Sequence, residues 1–299
     1  MCPKSESSGR KGELELRILG VGNIPEPRAL VNSSDFISSK DAIIGVFDFL
    51  GFKRKMSAYN LLDIASQSIA ISEIVKSCGE SCNQFEVNGK ISKISPEIIQ
   101  ISDTFIIYAL ERETQDIIQF LWNIHHILFY AILYKFPLRG ALTTGEMLIS
   151  KDPIMLFGPA LLEAFELEKS QEWSGACIGP SLKSYIDGAG ISEEIFPLVL
   201  PYKVPFKKNA RPTSDLAINC VADIGNLISP DVLSGKFQPF EQGSPEETKV
   251  NNTVEFLEFA SEQKMQHGPY RSPKNRKIVL EPRLDLGGRV VRFISDDEI

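Results

Sequence analysis

Two aspartates stand alone within hydrophobic segments of the sequence. Asp48 lies in "IIGVFDFLGF", and Asp103 lies 55 residues later in "IIQISDTFIIYA". Burying an unpaired carboxylate is unfavourable, so each position needs a counter-charge. If the segments form neighbouring strands, both carboxylates can point to one edge of the sheet and share a divalent cation. Carboxylates with few other ligands suit Mg²⁺ or Mn²⁺, which complete their shells with water and phosphate.

The alternative for a single aspartate is a turn cap or an ion pair with a nearby lysine. Two aspartates in matched contexts favour a metal site over that alternative. Three cations follow the Gly51 turn directly, where phosphate charge would need neutralising, namely Lys53, Arg54 and Lys55. A second basic group is predicted to be a solvated loop, and its members are Lys203, Lys207, Lys208 and Arg211.

Other kinds of site have little support in the sequence. No Gly-x-Ser-x-Gly motif and no Walker A motif occurs, which argues against acyl-enzyme chemistry and a P-loop. His125 and His126 fall within an apolar helical segment, where core histidines are more common than ligands. The cysteines are scattered, and we expect them to be reduced and not to bind metal; they are Cys2, Cys78, Cys82, Cys177 and Cys220.

Composition and charge narrow the class of protein. The chain has 299 residues, 43% of them hydrophobic and 24% charged, as in ordinary globular proteins. A net charge of -7 argues against a nucleic-acid or anionic-lipid surface. Polar residues interrupt the apolar segment 115–136, which predicts a buried helix and not a membrane span. The N-terminal "MCPKSESSGRKGE" lacks an apolar stretch, so we expect no signal peptide and a cytoplasmic protein.

Periodicity and turn residues predict an α/β sandwich with a mixed sheet. The predicted strands are 41–52, 99–110 and 138–150, with a hairpin at Asn88-Gly89 and a further strand that enters a helix within 173–186. The predicted helices are 57–77, 115–136, 158–170 and 253–266. We divide the chain into a partly disordered leader (1–38), a catalytic domain (39–190) and a C-terminal extension that packs on the core and ends in a mobile tail (191–299).

Four segments together resemble the class III nucleotide cyclases. "VFDFLGF" resembles their first metal-binding strand and turn, and "ISDTFIIYA" resembles the second metal strand. "LRGALTTGEMLIS" resembles the strand that follows a long helix, and "FGPALLEAFELEKS" resembles the helix that closes the catalytic half. The resemblance implies a ferredoxin-like core with a mixed or antiparallel sheet, flanking helices and a C-terminal extension.

The resemblance also implies a reaction. Asp48, Asp103 and the Phe49 carbonyl would hold two Mn²⁺ or Mg²⁺ ions, while the ribose 3′-hydroxyl attacks the α-phosphorus in line and pyrophosphate leaves. Arg139 is the candidate catalytic cation, with a structural salt bridge as the equal alternative. The nucleotide contacts implied are Phe47, Phe49, Gly51, Phe52, Lys53 and, at the base, Tyr59. One catalytic domain per chain implies a homodimer with two sites.

The chain departs from the family pattern at several positions. An asparagine and an arginine are expected where Leu162 and Glu166 stand, and a purine-reading lysine where Glu97 stands. An acidic residue is also missing near Met155. These departures fit the stand-alone cyclases of bacterial Pycsar anti-phage systems better, which make cyclic UMP or cyclic CMP. The chain is similar to them over most of its length, including "YKVPFKKN", "LAINCVAD" and "NNTVEFLEF".

This resemblance implies a pyrimidine triphosphate substrate, UTP or CTP, and a separate effector protein that senses the cyclic nucleotide. Two other interpretations remain open. One is a degenerate cyclase fold that binds a nucleotide or a partner without turnover. The other is a metal-dependent nuclease or polymerase-like enzyme, which the negative net charge and the lack of a long basic stripe disfavour.

Overall fold

The computed structural model describes residues 36–52, 96–110, 113–133, 136–152, 154–222 and 242–267, with short pieces and single positions between 60 and 94. The strands in these ranges are β1 (Ile37–Phe49), β2 (Glu86–Val87), β3 (Lys90–Ile91), β4 (Glu97–Ile101), β5 (Thr104–Ala109), β6 (Leu138–Lys151), β7 (Ile154–Phe157), β8 (Gly175–Ile178), β9 (Val199–Pro201) and β10 (Leu216–Ile218). The helices are α1 (Thr114–Leu133), α2 (Pro159–Ser170), α3 (Pro180–Ala189) and α4 (Pro245–His267).

Eight strands form one open sheet in the order β4-β5-β1-β6-β8-β10-β9, with β7 paired to the outer part of β6. The β6–β8 pair is parallel and the others are antiparallel. The predicted fold class, a mixed α/β sheet with flanking helices, is confirmed. Strand β1 lies between β5 and β6, so its end is enclosed on both sides.

Alternate residues of β1 face two separate hydrophobic layers, as the period of a strand requires. Ile43 and Phe47 join the larger core, which contains the apolar side chains of α1. Ile44 and Val46 join a smaller layer on the opposite face, which α2 covers through Ala160 and other side chains. Both faces of β1 are covered from Ala42 onwards, and this part of the strand is apolar apart from Asp48.

Helix α1 confirms the prediction of a long buried helix at 115–136. It is long and apolar enough to cross a membrane by length and composition, but 94% of its most apolar window is buried inside the fold. His125 is fully buried and its Nδ1 lies 2.6 Å from the Asn219 carbonyl oxygen. The helix therefore behaves as a core element, and its histidine has a structural partner.

The single strand predicted over 99–110 is wrong. Two antiparallel strands, β4 and β5, occupy this segment, and Ser102 and Asp103 form the tight turn between them. Ser102 has a φ of 60°, the backbone conformation that two-residue hairpin turns need. Asp103 thus belongs to a turn at the sheet edge and not to a strand interior.

Other elements match the sequence predictions with shifted ends. Strand β1 begins at Ile37, within the segment assigned to the leader, and ends before Gly51. The β2–β3 pairing of Val87 with Lys90 confirms the hairpin at 88–89. Residues 1–35, most of the helix predicted at 57–77 and the tail from 268 onwards lie outside the described residues.

The C-terminal extension contributes to the sheet itself. Strand β10 pairs with β8, and β9 pairs with β10, so residues beyond 190 complete one side of the sheet. Helix α4 begins at Pro245, eight residues before the predicted start at 253. Its Phe256 packs against Trp173 and Tyr202, with ring centroids 4.7 and 4.8 Å apart respectively.

Candidate active site

The end of β1 brings the sequence-predicted aspartates together. Asp48 pairs with Thr104 of β5 on one side and with Arg139 of β6 on the other. The Phe49 amide donates to the Asp103 carbonyl oxygen at 3.1 Å, which ties the β4–β5 turn to the end of β1. Both carboxylates therefore lie at the same edge of the sheet, as the sequence predicted.

The electrostatic state of Asp48 reflects a surplus of negative charge. The pKa of Asp48 is raised from 3.8 to about 6, chiefly by burial and then by the charges of Glu168 and Asp103. Arg139 opposes this shift, while a hydrogen bond with the Asp103 side chain adds to it. Asp48 is thus influenced by two other carboxylates and one guanidinium, which leaves it short of positive charge.

Arg139 is held by the end of α2. Its Nε and Nη2 donate to Glu168 Oε1 at 2.7 and 2.5 Å, and its Nη1 donates to the Gln171 carbonyl oxygen at 3.2 Å. Its Nη2 lies 3.5 Å from Asp48 Oδ2. The structure thus combines the two alternatives raised by the sequence, because Arg139 makes a buried salt bridge and also borders the aspartate pair.

Gln171 fixes this arrangement to the sheet. It is fully buried, and its Nε2 donates to the carbonyl oxygens of Gly140 and Leu167 at 2.9 and 3.0 Å. Its Oε1 accepts from Trp173 Nε1 at 2.6 Å. The C-terminal end of α2 is therefore locked to β6 beside Arg139.

The structure describes only some of the residues that the sequence predicts to contact the nucleotide. Phe47 and Phe49 are 0% and 2% exposed, so their side chains belong to the core and only their backbone can face a ligand. That removes the Phe47 side chain from the predicted contacts. Gly51 has a φ of 76° and turns the chain directly after β1, and Phe52 stacks on Phe49. Lys53 and Tyr59 lie outside the described residues.

Leu162, Glu166 and Glu97 depart from the family pattern, and none of them takes part in the contacts of Asp48, Asp103 and Arg139 described above. Leu162 is 60% exposed, and Glu166 is exposed on the same helix. Glu97 lies on the edge strand β4 and its Oε2 accepts from the Tyr108 hydroxyl at 2.9 Å. Burial and the Glu97 carboxylate raise the pKa of Tyr108, so this hydroxyl stays a hydrogen-bond donor.

Sequence reasoning missed Glu168, which is 4% exposed. A signal for it was present, because Ala160, Ala164 and Glu168 recur at four-residue spacing on the buried face of α2. A glutamate in that register needs a buried cation, and Arg139 is the cation.

The donor set fits divalent cations. Asp48 and Asp103 offer carboxylate oxygens at one edge of the sheet, and the excess of carboxylates around one guanidinium favours added positive charge. Among the described residues no group of three or more His, Cys, Asp or Glu side chains is arranged to hold a metal ion. Ions here would therefore depend on the two aspartates, backbone oxygen and the ligand itself.

The chain matches no protein-family model and no curated protein. Among solved structures it is similar to the catalytic core of a rhodopsin-guanylyl cyclase with converted specificity in complex with ATPalphaS (12% identity, TM-score 0.45, 61% of this chain and 96% of that one). It is also similar to the adenylyl cyclase CyaB from P. aeruginosa (11% identity, TM-score 0.45, 61% and 95%). A third is the guanylate cyclase domain of RhGC from Catenaria anguillulae in complex with GTP (12% identity, TM-score 0.44, 60% and 96%). A function for this chain has to be argued from its own residues.

Proposed function

We propose that this protein is a nucleotide cyclase that converts a pyrimidine nucleoside triphosphate, UTP or CTP, to the 3′,5′-cyclic monophosphate and pyrophosphate. The observation that carries the proposal is the pairing of Asp48 with Asp103. They come from segments far apart in sequence, and the Phe49–Asp103 backbone hydrogen bond fixes them at one edge of the sheet. A structural role alone does not explain two adjacent carboxylates, because burial and the charges of Glu168 and Asp103 raise the pKa of Asp48.

Asp48, Asp103 and the Phe49 carbonyl are the residues that would hold two Mn²⁺ or Mg²⁺ ions. When bound, such ions lower the pKa of a ribose hydroxyl and neutralise phosphate charge. The protein's own contribution is to orient the triphosphate through the backbone of the Gly51 turn, and through Lys53 beyond it. Catalysis then consists of positioning and charge neutralisation, with no covalent intermediate on the enzyme.

The pyrimidine preference and the biological role rest on the sequence resemblance. Glu97, where purine cyclases are expected to carry a lysine, is bound to Tyr108 in the structure, which is consistent with a different base contact. The product would act as a second messenger in anti-phage defence and would be sensed by a separate effector protein. The active unit would be a homodimer in the cytoplasm, without nucleic-acid or membrane partners.

The test is incubation of the purified protein with each of the four nucleoside triphosphates and Mn²⁺, followed by mass detection of cyclic monophosphates. We expect cyclic UMP or cyclic CMP as the main product. Asp48→Asn and Asp103→Asn should each abolish it, while Glu258→Gln on the exposed side of α4 should leave it unchanged. The absence of any cyclic product would disprove the cyclase, and a product that survives both aspartate substitutions would disprove the site.

One observation favours a second candidate, a cyclase fold that binds nucleotide without turnover. Arg139 is engaged by Glu168, and Leu162 and Glu166 stand where the family pattern expects transition-state groups. Nucleotide binding measured by calorimetry without any cyclic product would support this alternative. Turnover that depends on both aspartates would exclude it.

A further inference from the structure

Arg139 stands between two carboxylates and is held closer to one of them. Its Nη2 lies 2.5 Å from Glu168 Oε1 but 3.5 Å from Asp48 Oδ2. A distance of 2.5 Å is a close charge-assisted contact, whereas 3.5 Å lies beyond the usual range for a strong hydrogen bond. The guanidinium therefore neutralises Glu168 far more than Asp48.

A backbone hydrogen bond beside Glu168 also holds Arg139 at the end of α2. Nη1 donates to the Gln171 carbonyl oxygen, and Gln171 is itself bound to Gly140, the residue after Arg139. Arg139 and Glu168 side chains are 11% and 5% exposed, so solvent does not replace either partner. The end of α2 thus sets the position of the guanidinium relative to β1.

We propose that Glu168 is a positioning residue that holds the Arg139 guanidinium away from Asp48 and so keeps the Asp48 carboxylate available to a divalent cation. The proposal rests on the cation site of the proposed function. Without the Glu168 charge, Arg139 has one carboxylate partner left within reach, and that partner is Asp48. Arg139 closing on Asp48 would occupy the oxygen that a metal ion needs.

The test measures Mn²⁺ binding to the full chain by electron paramagnetic resonance of free Mn²⁺, without nucleotide. Glu168→Gln keeps the size of the side chain but removes its charge, and we expect Mn²⁺ affinity to fall by about tenfold. Glu166→Gln, on the exposed face of the same helix, removes the same charge nearby and should change the affinity by less than about twofold. Glu168→Asp keeps the charge with a shorter reach and should give an intermediate affinity.

The double variant Arg139→Gln/Glu168→Gln separates positioning from the direct effect of the Glu168 charge. Because no guanidinium remains to occupy Asp48, we expect the Mn²⁺ affinity of the double variant to recover to within about threefold of that of the unmodified protein. Circular dichroism and thermal unfolding establish that each variant is folded. The double variant neutralises Arg139 and Glu168 together, so neither charge of this pair is left buried without the other.

Three outcomes would overturn the proposal. Unchanged Mn²⁺ affinity in Glu168→Gln shows that Glu168 does not act on Asp48. Affinity as low in the double variant as in Glu168→Gln shows that Glu168 acts by its own charge and not through Arg139. No Mn²⁺ binding by the unmodified chain without nucleotide refutes this inference, whereas the proposed function is refuted by the absence of cyclic product in its own assay.

Discussion

Asp48 and Asp103 meet at one edge of the sheet although they belong to different structural contexts, a strand end and a hairpin turn. The Phe49 amide donates to the Asp103 carbonyl oxygen at 3.1 Å, so a backbone hydrogen bond ties the hairpin turn to the strand end. Burial, the charge of Glu168 and the charge of Asp103 together raise the pKa of Asp48 to about 6. The site is therefore assembled at the expense of folding free energy, as is common for functional residues.

The raised pKa gives Asp48→Asn a defined effect on stability. The folded protein binds the proton of Asp48 more tightly than the unfolded chain does. The stabilisation that this proton gives is therefore complete below pH 3.8 and is lost as the pH rises through about 6. Without divalent ions, and allowing for solvent screening at this half-buried position, we expect Asp48→Asn to be more stable than the unmodified protein at pH 8 by on the order of 2 kcal/mol. The gain should shrink between pH 6 and 4, as measured by denaturant unfolding.

Glu258→Gln, an exposed carboxylate on α4, is the control and should show no such pH dependence. Added Mn²⁺ should stabilise the unmodified protein and not Asp48→Asn, since binding to the folded state alone raises its stability. A gain that is equal at pH 4 and pH 8 would contradict the assignment of the raised pKa to Asp48.

Gly140 allows β6 to pack against β1 beside Arg139. A Cβ at Gly140 would lie 2.2 Å from the Phe47 ring and 2.8 Å from the Val46 carbonyl oxygen. We expect Gly140→Ala to reduce the free energy of unfolding by about 1–3 kcal/mol, as overpacked cores do. Gly188→Ala is the control, because a Cβ there meets nothing within 4 Å in helix α3 and alanine favours a helix by about 1 kcal/mol. Equal stabilities of the two variants would contradict this account.

The aspartate pair could be predicted because a lone acid in an apolar segment is conspicuous, and because both aspartates show it. The turn at Ser102 and Asp103 could not, since both flanking strands are apolar and neither turn residue is a glycine or an asparagine. Ser102 and Asp103 are polar, but two polar residues between such short segments do not distinguish a turn from a single interrupted strand. The side on which Asp103 emerges depends on the β4–β5 pairing, which is a tertiary property.

Glu168 and the short strands β9 and β10 are two further features that the sequence alone could not predict. A glutamate on a helix is usually solvated, and only the position of Arg139 on a neighbouring strand reveals that this one is buried. Strands β9 and β10 have three residues each, too few for a period to appear. The pairing of β10 with β8 and of β9 with β10 was therefore not visible, and the extension could be predicted to pack on the core but not to join its sheet.

Thr253 connects α4 to the segment that follows Gln171. Its Oγ1 accepts from the Ser174 amide at 2.7 Å, and it is 1% exposed. We expect Thr253→Val to destabilise the protein by about 1–3 kcal/mol, because it leaves a buried amide without its acceptor. Thr248→Val, exposed on the same helix, is the matched control and should change stability by less than about 0.5 kcal/mol. Denaturant unfolding measures both, and similar stabilities would show that α4 does not support this segment.

The last prediction concerns assembly. Three exposed apolar side chains follow one another in β7 and the start of α2, namely Ile154 (65%), Phe157 (52%) and Leu162 (60%). Exposed apolar side chains mark candidate interaction surfaces, and Leu162 stands where the family resemblance expects an asparagine. If the active unit is a homodimer, Leu162→Asp should shift it to monomer in light scattering and reduce product formation together. Met265→Asp, at a 77% exposed position on α4, should do neither. A dimer that persists in Leu162→Asp would place the interface elsewhere, and a monomer with full activity would show that one chain forms a complete site.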